Sequence, residues 1–132
     1  MGNKQKHLEF IQGAISRMAG NSFLLKAWTV TLILVLLTFF IENVNSDYVF
    51  VIYIPIIIFW ILDGYFLYKE RLFRSLYNHV RELDEKEIDF SMETKVFKTC
   101  KNSWLGSIFS TTLLIFYLTL VGVILIIIYL IK

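Results

Sequence analysis

An all-α integral membrane protein with three crossing helices is the fold class this sequence predicts, on three observations. Of its 132 residues, 57% are hydrophobic and 17% aromatic, against roughly 45–50% apolar in ordinary soluble domains, and a chain this short cannot hide the excess in one core. The apolar residues gather in three stretches, each near the roughly 20 residues that cross a hydrocarbon layer as a helix. Twelve of the thirteen lysines and arginines fall in the N-terminal segment through Lys26 or between the second and third stretches, as expected where cytoplasmic loops retain positive charge. Length alone leaves no room for a nucleotide-binding α/β domain beside a membrane anchor.

Residues 5–20 come first. Leu8, Ile11, Ile15 and Met18 share one helical face, flanked by Phe10 and Ala14, so an amphipathic helix is expected. It serves either as an interfacial or packing helix or as a mobile regulatory one. Gly20 suits a helix C-terminus and Asn21-Ser22 an N-cap, which predicts a bend at 20–22 that lays this helix on the membrane surface.

The first span is 23–41, interrupted by Lys26. A cleaved signal peptide is disfavoured by the long polar segment before it and the missing small-x-small site. Gly2 is a poor myristoylation site, because Lys6 stands where the acceptor motif has Ser or Thr. The loop Glu42–Asp47 carries two acids and no base, so it is placed outside and the N-terminus in the cytoplasm.

The second span is 48–68, with Pro55 in its middle, where a lost hydrogen bond predicts a bend. Leu72, Phe73, Leu76, Tyr77, Val80 and Leu83 continue the helical spacing without proline or glycine after Gly64. The helix is therefore expected to run on to about Leu83 as a cytoplasmic stalk, whose apolar stripe needs the N-terminal helix or a neighbouring copy as partner.

Connector 84–103 is acidic at its tip and basic at its flanks. Lys69, Arg71 and Arg74 precede the acids, and Lys95, Lys98 and Lys101 follow them. These bases either bind anionic lipid or form a collar for an anionic ligand. Asp84, Glu85, Glu87 and Asp89 lack the spacing and glycine of a calcium loop, so no metal is expected.

The third span, 104–131, carries no charge until Lys132, which closes the chain outside. Ser103, Gly106, Ser107, Ser110, Thr111 and Thr119 read either as a helix-packing face, with Gly106-x-x-x-Ser110 as its close contact, or as a weakly polar pore lining. Thr29, Thr31 and Thr38 raise the same question in the first span.

Lys26 lies fifteen residues from Ile41, and Asp63 lies fifteen from Tyr48, so antiparallel helices bring the two charges to one depth. Three readings stay open: separate snorkelling, a structural ion pair, or a part in gating.

No catalytic pattern is present. His7 and His79 are isolated, Cys100 has no partner cysteine, and phosphate-cradling glycines, HExxH and a nucleophile elbow are all missing. The expectation is a non-enzyme without cofactor and without a nucleic-acid polymer as partner. Three spans without a repeat also disfavour a transporter.

The runs NSFLLKAWTVTL (21–32), FWILDGYFLYKERLFRSLYNHVR (59–81) and EIDFSM (87–92) resemble a group of small, largely uncharacterised bacterial three-span inner-membrane proteins. The plan is similar to membrane effectors of anti-phage defence systems. That resemblance implies the bacterial inner membrane, self-assembly and a cytoplasmic nucleotide signal or partner protein. A three-helix protomer cannot enclose a pore alone, so the functional expectation is a homo-oligomer that forms or gates one. A non-conducting membrane adaptor is the alternative.

Overall fold

The computed structural model describes residues 2–43, 50–98 and 103–131. Among the described residues there are four α-helices: α1 (Asn3–Asn43), α2 (Tyr53–Arg81), α3 (Trp104–Ile108) and α4 (Thr111–Ile131). No strand occurs among the described residues. Three of the helices are long and apolar enough to cross a membrane. Their outward surface carries large apolar side chains such as Phe23, Trp28, Val35, Ile57, Ile115 and Ile126, a surface suited to lipid and unsuited to water.

Helix lengths divide the molecule into two layers. At 1.5 Å per residue α4 is about 32 Å long, close to the roughly 30 Å hydrocarbon thickness, whereas α1 is about 60 Å and α2 about 44 Å. The excess of α1 and α2 forms a head at one end. There Ile11 and Ile15 of α1 are buried against Leu76 and Val80 of α2, with Leu8, Phe73, Tyr77, Leu83, Ile88 and Phe97 around them. The stalk's stripe is thus covered within the chain by the N-terminal helix, and a neighbouring copy is not needed for it.

The expected bend at 20–22 is absent: α1 runs unbroken through Gly20, which does not adopt a positive φ. A mid-helix glycine costs only about 1 kcal/mol. Both halves of α1 pack on α2, Ile11 and Ile15 near one end and Ile33 and Leu37 with Ile52 and Ile56 near the other, and this packing outweighs the local breaker signal. Ser22, read as a cap, is an interior helical residue.

Pro55 bends nothing either. A 3₁₀ turn at 50–52 leads into α2, and Pro55 sits in the helix's first turn, where backbone N–H groups have no intrahelical partner to lose. Tyr48 lies outside the described residues.

The third segment is not one helix. The Trp60 indole donates to the Ile108 carbonyl at 2.8 Å, taking the acceptor that a continuing helix would offer to Thr112. Ser103 caps α3 by accepting from the Gly106 amide at 3.0 Å, and Ser110 caps α4 by accepting from the Leu113 amide at 3.4 Å. Two caps seven residues apart produced the helical spacing, and the proposed Gly106–Ser110 contact face is interrupted between its members.

Close helix approach comes from Gly64 instead. A Cβ there would stand 3.2 Å from the Ile108 Cα and 3.3 Å from its nitrogen. Gly64→Ala is expected to cost about 1–3 kcal/mol, as overpacking does. Thermal unfolding in detergent with tryptophan emission checks it, because Trp60 loses its Ile108 partner as α3 is pushed away.

Past α2 the connector holds single 3₁₀ turns at Glu85–Glu87 and Lys95–Phe97. The Glu85 carboxylate accepts from the Lys4 amide at 3.2 Å, placing an acid at the positive end of α1. Phe90 has a φ of 57°, sterically costly for a bulky residue. Its ring lies against His7 and Phe10 at 5.5 and 6.1 Å, contacts that hold the connector on α1.

Candidate functional site: a buried charge network joining three helices

Asp63 is completely buried, and an isolated carboxylate there would be prohibitively expensive. It is not isolated. Lys26 Nζ lies 2.6 Å from Oδ2, the Tyr117 hydroxyl donates to the same oxygen at 3.0 Å, and the Ser22 hydroxyl donates to Oδ1. Lys26 also donates to Ser22 Oγ at 2.8 Å. Both carboxylate oxygens are therefore satisfied, by donors from α1 and α4.

Sequence periodicity explains the convergence. Ser22 and Lys26 are four apart and share a face of α1. Tyr117 is held by its ring, stacked on Trp60 at 5.5 Å and 5°, and its hydroxyl also reaches the Phe59 carbonyl at 3.3 Å. The ammonium of Lys26 lies 5.8 Å from the Phe116 ring centre, within cation–π range. The depth match anticipated between Lys26 and Asp63 is realised as a direct ion pair, which excludes independent snorkelling in this structure.

Ser22 and Tyr117 were missed by the sequence reading. The depth count that matched Lys26 to Asp63 reaches Phe116 when run fifteen residues back from Ile131, one residue from Tyr117.

The other candidates are distributed differently. Ser107 is buried with no hydrogen-bond partner for its hydroxyl. Thr111 and Thr119 are exposed, and Thr119 joins Thr112, Ile115, Phe116, Leu120, Val123 and Lys26 around an open groove between α1 and α4. The hydroxyls of Thr31 and Thr38 donate to carbonyls one turn back in α1 and need no partner helix, whereas Thr29, which also donates one turn back, is fully buried with its hydroxyl at the Tyr117 hydroxyl of α4.

Within the basic collar, the Lys69 ammonium lies 5.7 Å from the ring centres of both Tyr65 and Tyr68. Arg74 pairs with Glu70 one turn earlier at 3.0 Å. Arg71 is half-buried on α2, Lys95 and Lys98 frame the last 3₁₀ turn, and Lys101 and Cys100 lie outside the described residues. His7 and His79, isolated in sequence, line one pocket in the head.

The chain matches no protein-family model, no curated protein and no solved structure. The resemblance to small bacterial membrane proteins thus rests on its sequence motifs alone.

Proposed function

We propose that the protein is a homo-oligomeric membrane protein of the bacterial inner membrane that forms or gates a conducting path, with the head in the cytoplasm. The observation that carries this reading is the open groove between α1 and α4, where the partly exposed Lys26 shares a wall with Thr112 and Thr119. Within one protomer this groove, apolar over most of its surface, faces outward at the depth of the apolar helices. Several copies packed through it around an axis cover the groove and set Lys26, Thr112 and Thr119 at the boundary between protomers. The twelve bases of the N-terminal segment through Lys26 and of the segment from Lys69 to Lys101 support the orientation.

The resemblance in plan extends the reading to a membrane-disrupting effector triggered from the cytoplasm. An anionic ligand or a partner protein at Lys69, Arg71, Arg74, Lys95, Lys98 and Lys101 opens it only as far as it binds the open state more tightly.

Self-association here draws on the groove and not on the stalk, which α1 already covers. The adaptor alternative gains support from the head, where Phe10, Val96 and Met92 are exposed. Purification in detergent followed by reconstitution separates the two. A defined ring that makes vesicles leaky, with leak reduced by Thr119→Phe in the groove, is the expected result. A monomer that leaves vesicles tight and copurifies with a soluble protein would sink the channel and favour the adaptor.

A further inference from the structure

We propose that α3 lies in the plane of the membrane, with Leu105 and Phe109 seated in the acyl edge of the lipid leaflet on the head side. The register of α4 on α2 is the starting point. Ile124 shares a core cluster with Ile52 and Ile56, and the hydroxyl of Tyr117, seven residues earlier, meets Phe59 and Asp63, seven residues later in α2. The two helices therefore run antiparallel in step. Carried back along a straight helix, this register would set Ile108 opposite 68–72 and Trp104 opposite 72–76.

Neither residue is there. Ile108 lies on Gly64, where an added Cβ would stand 3.2 Å from the Ile108 Cα, and its carbonyl accepts from the Trp60 indole at 2.8 Å. Trp104, a full turn earlier in α3, donates to the Ile61 carbonyl at 3.1 Å and sets its ring edge-on to Tyr65 at 5.4 Å. Both ends of α3 thus meet 60–65 of α2, so α3 crosses α2 at the depth of Asp63 instead of extending α4 toward the head.

Depth and charge decide what covers its outer face. Leu105 is 69% and Phe109 63% exposed, and residues four apart share a side. At about 32 Å, α4 alone crosses a hydrocarbon layer of roughly 30 Å, so its first turn marks the head-side edge of that layer, where α3 lies. Beside Lys26, at the same depth in α1, Phe23, Leu24 and Trp28 are exposed, and the face of α3 continues this lipid-facing surface. Cations stand on its head side. The Lys69 ammonium, 5.7 Å from the Tyr65 ring centre, belongs to a residue six positions beyond Asp63, about 9 Å along α2, and Lys95 and Lys98 precede α3. An apolar face with cations on its head side is complementary to an anionic leaflet, and a soluble partner would have to reach below those cations to touch it. The acyl edge then lies level with the Lys26–Asp63 pair. The inference needs only that the apolar helices span a membrane, and it stands whether or not the protein conducts.

The test places one nitroxide at a time on the full-length protein, at Leu105→Cys, Phe109→Cys, Leu118→Cys or Leu125→Cys with Cys100→Ser, in nanodiscs of phosphatidylethanolamine and phosphatidylglycerol. All four labelled positions are exposed, so the label displaces no buried packing. Depth is read from the ratio of oxygen to nickel-chelate accessibility. Leu118 and Leu125, two turns apart on α4, set the scale with a difference of about 10 Å. Leu105 and Phe109 are expected at one depth, both more open to oxygen than to nickel. A difference of about 6 Å between them, the rise of four residues along the membrane normal, would overturn the proposal. Free access of nickel to both would put the face in water, and shielding of both from either reagent would put a second protein chain on it; each result would equally overturn it.

Discussion

Lys26→Leu is expected to lower stability by about 3–5 kcal/mol, the range for removing one partner of a buried ion pair. The size follows from what is left behind. Asp63 stays fully buried and keeps the Ser22 and Tyr117 hydroxyls as donors, but these are neutral and leave its charge uncompensated. Transfer of an unpaired carboxylate to an apolar interior costs far more than two neutral hydrogen bonds return. Titration with sodium dodecyl sulfate in mixed micelles, read by tryptophan emission, measures the loss, since one of the three tryptophans, Trp60, stacks on Tyr117. Adding Asp63→Leu to Lys26→Leu removes both charges and is expected to restore most of the stability, because well-packed apolar pairs replace buried ion pairs at little cost. Conduction separates structure from mechanism. If the double variant folds and assembles but no longer leaks, the pair acts in gating. Wild-type stability of Lys26→Leu alone would show that the charges do not depend on each other.

What sequence reasoning could and could not reach follows the range of the interactions involved. Apolar runs near 20 residues report a solvent constraint acting on each segment separately, so the apolar segments 23–41 and 48–68 were legible, the second as a helix that begins at Tyr53. The Lys26–Asp63 pair was legible because two antiparallel helices joined by a short loop share a depth scale. The bend at 20–22 was a local inference from Gly20 and Ser22, overridden by packing of α1 on α2 at both ends. The break at Phe109–Ser110 depends on an indole 48 positions away, information that no local pattern in the third span carries. His7 and His79 meet only because the head folds, and their 72-residue separation leaves no periodic trace.

Leu76→Ala is expected to cost about 2–5 kcal/mol, the range for a large-to-small change at a buried leucine, and to spend that cost almost wholly in the head. Leu76 is 4% exposed and packs with Ile11, Ile15 and Val80. The apolar layer has its own cluster around Ile33, Ile56, Leu113 and Tyr117, together with the Asp63 network. Two cores joined by continuous helices open separately when one is weakened. Amides of α1 from Asn3 to about Met18 should therefore exchange much faster in Leu76→Ala, while those around Lys26 and Asp63 keep their protection. Limited proteolysis should cut the N-terminal segment and spare the rest. The same variant tests the packing of the stalk on α1 in solution. Packing by the chain's own α1 predicts an unchanged oligomeric state, whereas packing by a second copy predicts dissociation with α1 exchange unaltered. If instead the detergent titration read by tryptophan emission shifts by the full cost, head and apolar layer unfold as one unit, and any event at the head pocket is rigidly transmitted to the charge network below it.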